Sequence, residues 1–171
     1  MPVAWEYIAN CHVAFVVSCI RRIVGNDHDA EDVAQDVFLE AYRANRTKQI
    51  RNWRGFLLRL ASRRAIDLLR KRRSGMSVPS SKAETEPVST SPEPYQTAIA
   101  TELAERLRDI LCVLPEGQGQ VFSMHYFEDM SNEEIAESLE VSSNAVGLAL
   151  HKARRRLQSL IDDKDKSGDV P

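Results

Sequence analysis

Asp32 and Asp36 stand one helical turn apart, and paired carboxylates can share general acid and base work. Nothing around them supplies a nucleophile, a metal partner or a phosphate-binding loop. The pair therefore reads as part of a binding face, and the chain as a protein that is not an enzyme. A second set is basic. Arg51, Arg54, Arg59, Arg63, Arg64, Arg70, Lys71, Arg72 and Arg73 crowd one stretch whose only acid is Asp67, with Trp53 and Phe56 at its start. Arginines can follow phosphates while aromatic rings stack on unpaired bases, a combination suited to single-stranded or melted DNA. Trp53 is ambiguous, because its helical position also points toward a core. A third set, Lys152, Arg154, Arg155 and Arg156, closes a helix near the C-terminus and is placed to hold backbone phosphates.

The elements that must position these residues are helical. Glycine is scarce, β-branched alternation is absent, and apolar residues recur at three- and four-residue steps, so the fold class is all-α. A first helix runs from about Pro2 to Val24, with Trp5, Ile8, His12, Phe15, Cys19 and Ile23 on one face and Gly25 as its stop. Cys11, His12 and Cys19 read as core or near-core residues. A second helix starts near Asp29, which can cap it with Asp32 three residues on, and continues through Arg43. Ala30, Val33, Ala34, Val37 and Ala41 share one face of it. Asp32, Gln35, Asp36, Leu39 and Arg43 cluster about 180° away at about 100° per residue. Leu39 is an apolar residue on an otherwise polar outward face, as in a protein-docking surface with one apolar anchor. The third helix covers roughly Asn52 to Arg73. Trp53, Leu57, Leu60, Ala61 and Leu68 share its inward face, with Arg59, Arg63 and Arg70 opposite.

Helical pattern then stops. Residues 74–98 are rich in Ser, Thr and Pro and poor in large apolar groups, so they cannot offset their ordering entropy and read as a flexible linker. It resumes near Ile99, where Leu103, Leu107, Ile110, Leu111 and Leu114 form an apolar stripe up to Pro115. A helix from about Gly117 to Phe127 follows. Ser131 and Glu134 make a capping box that opens a short helix to Leu139. Glu140 and Val141 make a tight turn, and Ser142 or Ser143 caps the next helix, which runs to about Ile161. Val146, Ala149, Leu150, Ala153 and Leu157 line its inner side; Asn144, Gly147, Leu148, His151 and Arg155 face out. Two short helices so joined form a helix-turn-helix, whose second helix enters the major groove of DNA. The boundaries are thus 1–73 for a first domain, 74–98 for the linker, 99–161 for a second domain and 162–171 for a charged, frayed tail.

The totals bound the rest. The chain has 171 residues, 43% hydrophobic and 28% charged, enough to bury a core. A net charge of -2 argues weakly against a polyanionic partner, but the charge is segregated along the chain, and local charge is what binds. Three cysteines without a CxxC pair fit a reducing cytosol, and no His or Cys cluster has zinc-site spacing. The most apolar run, Val13 to Ile20, is far shorter than the ~20 residues that cross a bilayer, so no membrane insertion is expected.

In order, the acidic DAEDVAQDVFLEAYR helix, the basic FLLRLASRRAIDLLRKRR helix, the Pro/Ser linker and LPEGQGQVFSMHYFEDMSNEEIAESLEVSSNAVGLALHKARRRL together resemble the extracytoplasmic-function sigma factors. The resemblance covers about residues 3–73 and 99–161, regions two and four of that family. It implies that Asp32, Gln35, Asp36 and Leu39 dock core RNA polymerase. It implies that the loop and helix after Gln49, with Trp53, Arg54, Phe56, Arg59, Arg63 and Arg70, recognise and open the minus-ten promoter element. It implies that the last helix, through Ser142, Ser143, Asn144, Leu148, His151, Lys152, Arg154 and Arg155, reads the minus-thirty-five element. No cofactor is expected, the location is cytoplasmic, and an anti-sigma factor is a common further partner in the family. Three departures stand out. Arg63 replaces the usual Asn, Phe56 the common Trp, and the run from Asn144 to Ala149 is less polar than its counterparts, which favours shape over direct base readout. Two other readings remain: a stand-alone helix-turn-helix regulator, and an adaptor that docks polymerase without reading DNA.

Overall fold

The computed structural model describes residues 4–75 and 94–167, and all its regular elements are helices. They are α1 Trp5–Val24, α2 Asp27–Asn45, α3 Trp53–Arg73, α4 Pro94–Val113, α5 Glu116–Phe127, α6 Asn132–Leu139 and α7 Ser143–Ser167. Residues 76–93, which contain most of the expected linker, lie outside the described residues.

Local chemistry sets the helix ends. Gly25 ends α1 in the left-handed region at φ 90°, and its N–H donates to the Arg21 carbonyl. A side chain there would be strained by the positive φ, and its Cβ would have to displace the Arg108 guanidinium, 2.4 Å away. The cap of α2 is Asn26 rather than Asp29: its side chain accepts from the Asp29 N–H at 2.9 Å, and the helix starts at Asp27. Asn52 caps α3 by accepting from the Gly55 N–H. The helical pattern expected from Ile99 already begins at Pro94, and proline suits a first helical turn because its missing N–H would have had no partner there. At the other end α7 continues through Ser167, into the segment expected to be frayed.

Helices α1, α2 and α3 pack around Val16, Ile20, Ile23, Ala30, Val37, Leu57 and Ala61, all essentially without solvent contact. On α1 the buried face is Ile8, Val16, Cys19, Ile20, Ile23 and Val24, whereas Trp5, His12 and Phe15 are half-buried and Cys11 is exposed, contrary to its expected place near the core. By length and composition α1 could cross a bilayer, with a mean hydropathy of 1.3 over its most apolar window, but its apolar side forms the centre of this helical unit. Burial pushes the Cys19 thiol well up, which keeps it protonated.

The second half packs on the first. Leu111, Leu114, Val121, Phe122, Met124, Ile135 and Val146 join the same apolar cluster as Ile66 and Leu69 of α3. Leu103, expected in the apolar stripe of α4, is instead 57% exposed. Side chains tie the halves together at backbone carbonyls: Arg70 donates to Leu114 at 2.7 Å, Arg73 to Asp109 at 2.8 Å, Arg108 to Ile23 at 3.2 Å and Gln120 to Arg59 at 3.1 Å. Arg22 pairs with Glu128 at 2.6 Å. Helix α3 is therefore covered on two faces, with Leu58, Ser62, Ala65, Ile66 and Leu69 buried in addition to Leu57, Leu60 and Ala61. The expected one-sided arginine helix is corrected accordingly: Arg59, Arg63 and Arg70 are half-buried, not outward-facing.

A buried ion pair fastens the start of α2 to the end of α3. Arg72 donates to Asp29 at 2.6 Å, and only 7% of the Asp29 side chain meets solvent. Burial pushes the Asp29 carboxyl up, but hydrogen bonds from Arg72 and Asn26 outweigh it and hold the group below its ordinary range. A carboxyl lowered on folding stabilises the protein above its unfolded pKa, and that stabilisation is lost as pH falls through the folded value. Asp29→Asn should cost on the order of 3 kcal/mol at neutral pH, since it strands Arg72. Chemical denaturation from neutral pH to below about pH 4 should show wild type losing stability toward the variant, with the gap closing in acid.

Candidate nucleic-acid interface

Three surfaces carry the residues singled out by their chemistry. The first is the outer face of α2. Ala30, Val33, Ala34, Val37 and Ala41 are buried, so the opposite side must face solvent, and Asp32, Gln35, Asp36, Leu39 and Arg43 do. Leu39 is 55% exposed. Beside it an apolar groove of about 830 Å³ runs between α1 and α2, lined by Trp5, Val13, Val17, Phe38, Leu39 and Tyr42. The groove and the exposed Val13 and Tyr42 escape periodicity arguments, because they arise from the pairing of two helices.

The second surface is a cleft of about 300 Å³ at the start of α3. One wall comes from the α2–α3 loop and the first turns of α3: Lys48, Arg51, Phe56 and Arg59. It is basic, with the Phe56 ring among its lining side chains. The facing wall is Glu137, Ser138 and Glu140, from the end of α6 and the turn that follows. Arg59 reaches Glu140 at 3.5 Å. Arg51 belongs to the basic stretch read from the sequence, whereas Lys48, just ahead of it, was missed; the fold is what brings both to the cleft with Phe56.

The other arginines expected here are used differently. Arg63 and Arg64 clasp Glu40 of α2, at 2.6 and 2.7 Å. Burial pushes the Glu40 carboxyl up, yet hydrogen bonds from Arg64 and Arg63 hold it below the usual range, so the clasp stays charged. Arg70 is turned to the Leu114 carbonyl, and Arg54 lies 4.2 Å over the Phe15 ring. Trp53 resolves its ambiguity toward packing: it meets Trp5 edge-on at 6.0 Å and Phe56 at 6.1 Å, in a cluster that includes Phe38 and Tyr42.

The third surface is the helix-turn-helix. Ser131 accepts from the Glu134 N–H while Glu134 accepts from the Ser131 N–H, completing the capping box and lowering the Glu134 carboxyl. Glu140 makes the turn in the left-handed region at φ 57°. Ser142, rather than Ser143, caps α7 by accepting from the Ala145 N–H at 3.1 Å. Val146, Leu150 and Ala153 are buried. Asn144, Leu148, His151, Lys152, Arg155 and Arg156 are exposed along the outer side. Arg154 is oriented by Tyr126, donating to its hydroxyl at 2.6 Å and lying 5.6 Å from its ring centre.

A three-helix unit with an acidic face and a basic cleft, joined to a helix-turn-helix, defines a bipartite DNA-binding protein. The family models agree: Sigma-70 region 2 matches residues 8–75 and Sigma-70, region 4 matches residues 104–157. The RNA polymerase sigma factor YlaC of Bacillus subtilis is 32% identical over 133 residues, covering 75% of each chain. The ECF RNA polymerase sigma factor SigW of the same organism is 27% identical over 150 residues, covering 83% of this chain and 80% of that one. The structure of CnrH in complex with the cytosolic domain of CnrY shares the fold at a TM-score of 0.59 and 24% identity, over 94% of this chain and 88% of that one. The chain belongs to the sigma-70 family, as a sigma factor of the extracytoplasmic-function type.

Because Trp53 sits in an aromatic cluster, Trp53→Ala should lower stability by about 3 kcal/mol. Thermal unfolding against wild type measures this; an unchanged midpoint would mean the ring does not pack as described.

Proposed function

We propose that the chain is a dissociable specificity subunit of RNA polymerase, working in the cytoplasm by binding rather than by catalysis of its own. Residues 1–73 dock core polymerase and hold the opened minus-ten element, residues 74–98 link, and residues 99–161 engage the minus-thirty-five element. The observation that supports this best is the outer face of α2. Asp32, Gln35, Asp36 and Leu39 are exposed on a helix whose other side is fully buried, so the fold makes no demand on them. A solvated acidic helix would have no use for an apolar residue at its centre, whereas a docking face does.

Within the basic cleft, Phe56 offers a ring to an unpaired base, and Arg51, Arg59 and Lys48 offer charge to the strand. On α7, Lys152, Arg154 and Arg155 hold phosphates, Ser142 and Ser143 stand at the helix start near the backbone, and Asn144 and His151 face base edges. Leu148, 53% exposed, is an apolar contact that suits a thymine methyl group. The related fold of CnrH is known with the cytosolic domain of CnrY bound, and a comparable anti-sigma partner is proposed for this chain.

The central test is reconstitution with core polymerase. Asp36→Arg should leave thermal stability within about 0.5 kcal/mol of wild type and weaken association with core at least tenfold. Wild-type affinity in that variant would remove the docking assignment. Duplex binding gives an independent check: replacing Lys152, Arg154 and Arg155 with Ala should flatten the dependence of log affinity on log salt by up to about 0.9 per lost phosphate contact. In the polymerase–promoter complex, Phe56→Ala with Arg59→Ala should reduce permanganate reactivity of thymines in the melted region.

A further inference from the structure

The cations that close α7 are not equivalent. Lys152, Arg155 and Arg156 stand out into solvent, whereas Arg154, also exposed, is tied to a side chain from outside the helix-turn-helix. Its Nε–H donates to the Tyr126 hydroxyl oxygen at 2.6 Å, and its guanidinium carbon lies 5.6 Å from the centre of that ring. Tyr126 belongs to the last turn of α5, which packs against α7. It is itself braced. Its ring centre lies 4.6 Å from that of buried Phe122, one turn back, and 4.8 Å from that of His125, which meets it edge-on. His125 is fixed in turn by donating from Nδ1 to the Met130 carbonyl at 3.1 Å. A line of contacts thus runs from the core under Phe122 out to one surface guanidinium. The packing asks for a ring at this position but not for its hydroxyl. Tyr126 is 44% exposed, and phenylalanine would meet Phe122 equally well. What the hydroxyl adds is its hold on Arg154.

We infer that Tyr126 is a positioning residue for duplex binding: it sets the Arg154 guanidinium before DNA arrives, so that both terminal amino groups meet one backbone phosphate on the α5 side of α7. The inference rests on reading α7 as the helix that lies on duplex DNA. Arg154 flanks the outward row of Asn144, Leu148, His151 and Arg155 on the side toward α5. Its hydrogen bond to Tyr126 uses Nε–H, the donor nearest the stem, and leaves the N–H groups of both terminal nitrogens unspent. Two parallel donors of that kind match two oxygens of a phosphate. An arginine free in solvent must give up its rotamer freedom when it binds, whereas one already held gives up less, and that difference appears as affinity.

The test uses the full chain, with a short fluorescein-labelled DNA duplex as probe, titrated over a range of low salt concentrations. Tyr126→Phe keeps the ring and removes the hydroxyl. Its unfolding midpoint should match wild type; a lowered midpoint would assign the hydroxyl to folding and overturn the inference. Tyr126→Phe should weaken duplex binding about fivefold, with the salt slope kept because the charge remains. Arg154→Ala should weaken binding at least as much and flatten the slope by up to about 0.9. In the Arg154→Ala protein, adding Tyr126→Phe should change nothing further, since no guanidinium is left to set. Arg154→Lys keeps the charge but has no Nε–H for the hydroxyl to hold, so it should bind as weakly as Tyr126→Phe and be indifferent to that change. In the free protein, the Arg154 Nε–H resonance should stand apart in nitrogen–proton spectra and move to the position of solvent-exposed arginines in Tyr126→Phe. Wild-type affinity in Tyr126→Phe, beside weakened binding in Arg154→Ala, overturns the inference and leaves the phosphate reading of Arg154 standing. Independent, multiplying effects of the two changes overturn it as well. If Arg154→Ala alters neither affinity nor slope, or if wild type does not bind the duplex, the reading of α7 itself fails and the inference falls with it.

Discussion

Everything in this molecule depends on α3 being buried on two sides while it carries most of the basic residues of its half. Leu57, Leu58, Leu60, Ala61, Ala65 and Leu69 are buried along it, while Ser62 and Ile66 meet Gln120 and Gly119 of α5, and the helix contacts α1, α2, α4, α5 and α6. Little of the helix circumference remains for charge. Its arginines therefore lie along the seams, where their aliphatic stems cover apolar surface and their guanidinium groups find anionic or carbonyl oxygens. Arg63 and Arg64 take Glu40, Arg72 takes Asp29, Arg70 takes Leu114, and Arg73 takes Asp109. Lysine would serve poorly in these places, since several of the contacts use the planar fork of the guanidinium or need a charge that survives partial burial.

That constraint divides the arginines by role. Those in the second half of α3 are structural seams between helices. Near its start Arg59 lines the cleft with Lys48 and Arg51 of the preceding loop, while Arg54 lies over the Phe15 ring. The division also explains why α2 can be given over to display. With Glu40 and Asp29 recruited to α3 and its alanine–valine face sunk in the core, the outer residues Gln35, Asp36 and Leu39 of α2 are exposed for a partner.

Much of this was legible in the sequence. The inner and outer faces of α2 follow directly from the spacing of small apolar residues, and the capping box fixed the start of α6 to the residue. What periodicity could not show was the second burial of α3. Leu58, Ile66 and Leu69 each stand next to a charged residue, and whether such residues meet water or α5 depends on chain that arrives some fifty residues later, beyond any local pattern. For the same reason Arg70 reads as outward charge when it is a seam residue; Arg63 does so because its partner Glu40 stands on the neighbouring helix α2, outside any pattern within α3. Smaller differences have local causes. Asn26 is the cap because its backbone is extended where Asp29 already lies within the helix, and Cys11, one turn from buried Ile8, is exposed at the margin of the buried face of α1. The candidate site was legible as a basic loop with aromatics, but not which ring would line the cleft: Trp53 is drawn away by Trp5, a contact between helices far apart in sequence.

The order of these contacts along the chain has a consequence for synthesis. Helices α1, α2 and α3 contact one another within the first 73 residues, so they can assemble on the ribosome before the second half has emerged. The seams to α4, α5 and the Arg22–Glu128 pair span up to 106 residues and must wait. During that interval the Ile66 side of α3 is an apolar strip bordered by unpaired arginines, on a nascent chain threaded past ribosomal RNA. The arginine border keeps the strip soluble and disfavours its pairing with another emerging copy. The same side chains that later lock the two halves thus act first as guards against aggregation.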